Sequence, residues 1–277
     1  MTGTVLDALG ALDTWPVTTA AAAVVTGGGV LATHGPVEHV FALASVTKPL
    51  AALATLIAVE EGALELSEPA DPSLIPGATL SHLLAHASGL APERRLRSFA
   101  PAVRRVYSNV GIELAGELVE AAVEMPLARY FDQAIGQPLG LTSTSIQGSP
   151  AKDGRSCVSD LARLLDELLN GPRLLHPTTL AQATTVAYPG LRGVLPGFGA
   201  QDPNDWGLGF EIKASKRPHW TGALNSAATY GHFGQRGTMF WVDPVARVGL
   251  VALADEPFGA WAAQAWPALS DAVLAAI

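Results

Sequence analysis

The chain has 277 residues, of which 49% are hydrophobic and only 15% charged, with a net charge of −8. Globular domains average about 25% charged residues, so this composition excludes a disordered chain and implies a large buried core. The acidic balance, with no Lys/Arg run longer than two residues, argues against nucleic acid or an anionic membrane as partner.

The predicted elements begin with a short helix over Gly3–Leu12. Two strands follow, Val17–Thr26 and Val30–Thr33, joined by a Gly27-Gly28-Gly29 hairpin turn. A long helix spans Ser45–Glu61, where Leu50, Leu53, Ala54 and Ile57 keep helical spacing and Gly62 marks the stop. Further helices are predicted over Thr79–His86, Asn109–Val123, Pro126–Ile135 and Ser159–Leu169. Beyond residue 200 the pattern turns strand-like, at Trp206–Ile212, Ala227–His232, Thr238–Val242 and Val248–Ala254, before a last helix over Ala260–Ala276.

This order predicts an α/β chain of the α+β kind. One antiparallel sheet is built from both chain ends and flanked by helices, with an all-helical insertion. Residues 1–62 and 185–277 would form the α/β subdomain and 63–184 the helical one, within a single unit. The lone cysteine, Cys157, excludes an internal disulfide. The longest apolar run, Pro49–Val59, falls short of the ~20 residues that span a bilayer. The first Lys or Arg is Lys48, so no basic start of an export signal is seen and a cytoplasmic protein is expected.

Several patterns carry no chemistry. Gly27–Ala32 matches a dinucleotide fingerprint, but His34-Gly35-Pro36 forbids the helix it needs. His82 and His86 have zinc-pair spacing without the intervening glutamate and read as structural histidines. Ser88 lacks the preceding glycine of a nucleophile elbow.

Ser45-Val46-Thr47-Lys48 is an S-x-x-K spacing at a predicted helix start. Three residues bring both side chains to one face, and the helix start offers N–H groups and partial positive charge to a developing anion. About 0.2 such matches are expected by chance at this Ser and Lys content. A second match, Ser149-Pro150-Ala151-Lys152, sits in a loop without that support. Tyr107-Ser108-Asn109 is Y-x-N at another helix start, with roughly 0.06 matches expected by chance. His232-Phe233-Gly234 is H-x-G on a late strand.

In this order and context the three motifs resemble the serine β-lactamase and penicillin-binding superfamily. Within it they are most similar to the branch of class C β-lactamases, serine-type D-peptidases and family VIII esterases. The segments Phe41–Pro49, Leu83–Leu90, Tyr107–Gly111, Trp206–Phe210 and Gly231–Gly234 carry the likeness, which covers about residues 20–255.

The resemblance implies an acyl-enzyme on Ser45, with Lys48 and Tyr107 as catalytic partners. It implies that Asn109 orients the substrate and steadies Lys48. His232 and Gly234 would line the opposite wall, with His232 donating to the leaving group or the tyrosine. The oxyanion hole would be the backbone N–H groups of Ser45 and Gln235. No metal and no cofactor are implied. His232 stands where class C β-lactamases carry lysine, which turns the reading toward small esters, with amides second. D-peptidase, β-lactamase, acyltransferase and non-catalytic binding protein are the alternatives. The expected partner is a small-molecule ester or amide, and the oligomeric state is left open.

Serine is unreactive until its proton is removed. Lysine, at about 10.4, or tyrosine, at about 10, must fall by about three units to serve as base at neutral pH. The two titrate as a coupled unit. Tyr107 is expected to shuttle the proton, with Lys48 as its electrostatic partner and a possible base. The chain is short beside many relatives, so a more open site is also expected.

Overall fold

A computed structural model of the chain describes residues 4–171 and 173–277. Helix α1 (Val5–Leu9) opens on a capping box between Thr4 and Asp7 and passes into a 3-10 turn over Gly10–Thr14. The predicted start at Gly3 lies outside the described residues. Strands β1 (Ala20–Thr26) and β2 (Gly29–His34) form the predicted hairpin, and β3 (Phe41–Ala42) leads to α2 (Thr47–Glu60). Helices α3 (Leu80–Leu84), α4 (Asn109–Val123), α5 (Leu127–Phe131) and α6 (Gln137–Leu139) follow. Next come β4 (Ser145–Ile146), β5 (Gly154–Ser156), α7 (Val158–Asn170) and α8 (Pro177–Ala183). The chain then forms β6 (Gly193–Leu195), β7 (Gly199–Gln201), β8 (Glu211–Ile212), β9 (Tyr230–Gly234), β10 (Thr238–Asp243), β11 (Val248–Ala254) and α9 (Ala260–Ala275).

The main sheet has six strands in the order β2-β1-β11-β10-β9-β8. Every neighbouring pair in it is antiparallel, so first and last parts of the chain meet at the β1–β11 pair. Strands β1 and β11 read as almost unbroken apolar runs because both faces of the sheet are covered. Alternation by two separates the faces. Ala21, Ala23, Val25, Val251 and Leu253 face one core, shared with α2 and α7. Ala22, Val24, Trp241, Leu250 and Ala252 face the other, under Leu9 of α1 and Trp266, Leu269 and Val273 of α9.

The architecture is the predicted one, with three corrections. The stretch 63–184 is not all helical: β4 and β5 join β3 in a three-stranded sheet, and α7 packs on β1 and β11 of the main sheet. The short β4 and β5 segments carry too few residues for alternation to reveal them. The predicted strand Trp206–Ile212 is mostly a tight turn, closed by the Gly207 N–H on the Phe210 carbonyl, and only Glu211–Ile212 pairs as strand. Gly209 sets that turn with a φ of +86°, and a Cβ there would lie 2.1 Å from the Ala52 side chain. Helix α3 stops at Leu84, because His86 takes a φ of 54° and turns the chain away. No helix among the described residues is long and apolar enough to cross a membrane.

Candidate active site

Ser45 lies in a 3-10 turn, Ala44–Val46, between β3 and α2, two residues before the helix it was expected to open. Ala44 has a φ of 47°, a left-handed conformation uncommon for a residue with a side chain. Thr47 pins the turn. Its hydroxyl donates to the Ala44 carbonyl at 2.6 Å and accepts from the Gly154 N–H at 2.8 Å. The first turn of α2 then places Lys48 under the serine. Its Nζ donates to Ser45 Oγ at 3.0 Å and to the Ala151 carbonyl at 2.8 Å.

Lys48 is fully buried. Burial pushes its ammonium down to about 7, against the opposing pull of the Glu93 and Glu113 carboxylates and with help from Lys152. Its Nζ stands 4.6 Å from the Tyr107 ring centroid. Tyr107 moves the other way. Burial raises its phenol well above the usual value, and the neighbouring Ser45 hydroxyl only partly offsets this. The ring itself keeps some exposure at the cavity mouth. Of the two, Lys48 is therefore the group whose proton is the more easily lost near neutral pH.

Helix α4 fixes Tyr107 from its N-terminus. Ser108 caps the helix, accepting from the Gly111 N–H at 3.0 Å and donating to the Ala91 carbonyl at 2.7 Å. The Ser108 N–H donates to His86 Nδ1 at 3.2 Å, so the His86 ring lies behind Tyr107, their centroids 4.7 Å apart. Trp206 completes the wall, 4.7 Å from His86 and 5.4 Å from His232 by ring centroids.

His232 lies on β9 and is 3% exposed. Its Nδ1 is 2.7 Å from the Phe233 carbonyl, which can only accept, so Nδ1 carries the proton. Nε2 then presents a bare lone pair, buried and without a protein partner among the described residues. Burial and the charge of Lys48 drive the imidazole down to about 3, so it is neutral in use. The expected donor is thus an acceptor.

The remaining predicted residues divide. Gly234 runs against the nucleophile segment so closely that a Cβ would lie 2.2 Å from the Leu43 carbonyl. Gln235 follows in the turn and lines the same cavity as Ser45. Among the described residues neither the Ser45 nor the Gln235 backbone N–H has a protein acceptor. Asn109 departs from expectation. Its amide nitrogen donates to Glu93 at 2.6 Å, its Oδ1 is buried without a partner, and it makes no hydrogen bond to Lys48. The Ala151 carbonyl takes that place.

The cavity over Ser45 is narrow, about 30 Å³, closed by Leu195, Pro196 and Trp206. Wider hollows adjoin it, one of about 320 Å³ meeting it at Tyr107 and Pro196 and one of about 410 Å³ meeting it at Gln235. Sequence reading also missed Glu211 on the cavity wall. Burial alone would raise its carboxyl, but His219 and Lys216 overcome this and hold it at about 2. Glu211 pairs with Lys216 and accepts from His219 Nε2 at 2.9 Å and Trp220 Nε1 at 2.9 Å. No spacing rule marks this cluster, which the fold assembles around one carboxylate.

Sheet, helical lobe and the Ser45–Lys48–Tyr107 grouping define the serine β-lactamase and penicillin-binding class of fold. The "Beta-lactamase" family model matches residues 15–274, and the chain belongs to that family. It is similar to a β-lactamase of known crystal structure from Mycobacterium bovis, 52% identical, covering 97% of this chain and 98% of that one, with a TM-score of 0.94. The fold alone is shared with EstCE1, titled a hydrolase with promiscuous acyltransferase activity, at 18% identity and a TM-score of 0.79, covering 98% of this chain and 97% of that one. An Escherichia coli K12 protein named "Putative D-alanyl-D-alanine carboxypeptidase" is 25% identical over 68% of this chain and 54% of its own length. The chain thus spans about half the length of the curated relatives it matches.

Proposed function

We propose that the protein is a serine hydrolase that cleaves small esters, and amides more slowly, through an acyl-enzyme on Ser45. The observation that carries this reading is the 3.0 Å contact between Ser45 Oγ and a fully buried Lys48 whose ammonium is depressed to about 7. A neutral amine beside the hydroxyl supplies the base that serine needs.

In the proposed cycle Lys48 takes the Ser45 proton as Oγ attacks the acyl carbon. The oxyanion is received by the Ser45 and Gln235 N–H groups, and loss of one such donor typically costs about 10²–10³ in rate. Tyr107, as a neutral phenol, gives its proton to the leaving oxygen and regains one from the Lys48 ammonium. Water, activated by the same amine, then releases the acid and restores Ser45. The narrow cavity favours short acyl groups. Transfer to an alcohol in place of water is a second reading, favoured by the likeness to EstCE1.

Intact mass spectrometry after treatment with a fluorophosphonate, or with a short p-nitrophenyl ester, tests the proposal. A single adduct is expected on the native chain and none on Ser45→Ala. Absence of both adduct and turnover in the native chain overturns it.

A further inference from the structure

We infer that the cavity selects substrates bearing a hydroxyl or N–H donor close to the scissile bond and rejects those bearing a carboxylate there, with His232 as the selecting residue. This inference rests on the proposed acyl-enzyme chemistry and names its substrate class. Three observations carry it.

The first is the tautomer. With the Nδ1 proton committed to the Phe233 carbonyl at 2.7 Å, the Nε2 lone pair is the only polar group His232 offers the cavity. It faces the cavity with no protein donor among the described residues. A substrate donor satisfies it; a carboxylate meets lone pair against lone pair.

The second is that, among the described residues, no free cation lines that wall. Lys216, the nearest ammonium to Glu211, spends its three protons on Glu211 and on the Asp205 and Ile212 carbonyls. Trp206 Nε1 is committed to Asn204 at 3.3 Å. Lys48 is held by Ser45 and Ala151.

The third is the buried carboxylate of Glu211 on the same wall. It is saturated by Lys216, His219 and Trp220, so it neither attracts an anion nor leaves a donor for one. Exposed cations do occur beyond Gln235, at Lys152, Arg155 and Arg236, in a hollow that meets the cavity at Gln235 on the side away from His232's wall.

The test is a matched panel on the native chain: phenyl 3-hydroxypropanoate, phenyl butanoate and phenyl hydrogen succinate, each corrected for spontaneous hydrolysis. The expected kcat/KM falls in that order, by about threefold or more at the first step and about tenfold or more at the second. A succinate ester that equals or exceeds the butanoate overturns the inference, as does a hydroxyl ester no better than butanoate. In His232→Lys the order of the last two should invert. The corresponding free amides, titrated by NMR into Ser45→Ala, should bind in the native order. That arm decides recognition even if no ester acylates the protein, in which case the hydrolase reading fails separately.

Discussion

Lys48 Nζ and the Ala151 carbonyl, 2.8 Å apart, tie the nucleophile helix to a loop more than a hundred residues away in the chain. That loop is the second S-x-x-K match. Ser149 there is part of the turn: its hydroxyl donates to Glu113 at 2.6 Å and accepts from the Ala151 N–H at 3.2 Å. It shapes the turn that presents the carbonyl, while Glu113 and Lys152 tune Lys48 from opposite directions.

Lys48 is costly to the fold. A buried lysine whose folded value lies below its unfolded one binds fewer protons when folded, so stability rises with pH between about 7 and 10.5. Lys48→Met should therefore be more stable than the native chain at pH 7. The advantage should shrink by about 1.4 kcal/mol per pH unit above that, before allowance for the Ala151 carbonyl left unpaired. Urea titrations at pH 7 and 9.5 read the difference, and a gap independent of pH contradicts the account.

Lys48 and Tyr107 act as one proton path. Lys48→Ala and Tyr107→Phe should each lower kcat/KM by about 10³-fold or more, with the double variant little worse than either. Modest, additive losses in steady-state kinetics would count against a shared path.

Gly234 leaves no space for a methyl group, with the Leu43 carbonyl 2.2 Å and Thr238 Oγ1 2.5 Å from an ideal Cβ. Gly234→Ala should push β9 off the nucleophile segment. The expected result is loss of acylation by at least 10²-fold, with a stability cost of about 1–3 kcal/mol by overpacking. Native-like acylation by this variant would show that the approach of β9 is not needed for catalysis.

Glu211 anchors its wall as a buried ion. Glu211→Gln leaves Lys216 without its counter-charge and should cost about 3–5 kcal/mol. The native carboxyl, held at about 2, contributes stability above the ordinary carboxylate range that is lost as pH falls toward 2. Thermal unfolding of the variant across pH 3–7 should show less acid sensitivity than the native chain.

The sheet was legible because its strands are apolar runs bounded by turn residues, and β11 and α4 have the predicted bounds. Short pairings such as β3–β5 were not, since two residues per strand carry no period. At the site, the motif residues Ser45, Lys48, Tyr107 and His232 could be picked from spacing and order. Their protonation could not. The tautomer of His232 depends on one carbonyl, and the lowered value of Lys48 on burial by distant segments. Ala151 was invisible because it contributes only backbone. Glu211 was missed because its partners Lys216, His219 and Trp220 match no known ligand spacing.

The central claim is that Ser45 is activated by a neutral Lys48. The pre-steady-state rate of acylation by a short p-nitrophenyl ester, followed from pH 5 to 10, tests it most directly. The predicted profile rises with pH as one proton leaves, with a midpoint near the value of about 7 held by Lys48, and then stays level. A midpoint near 10, or a rate independent of pH, would contradict it.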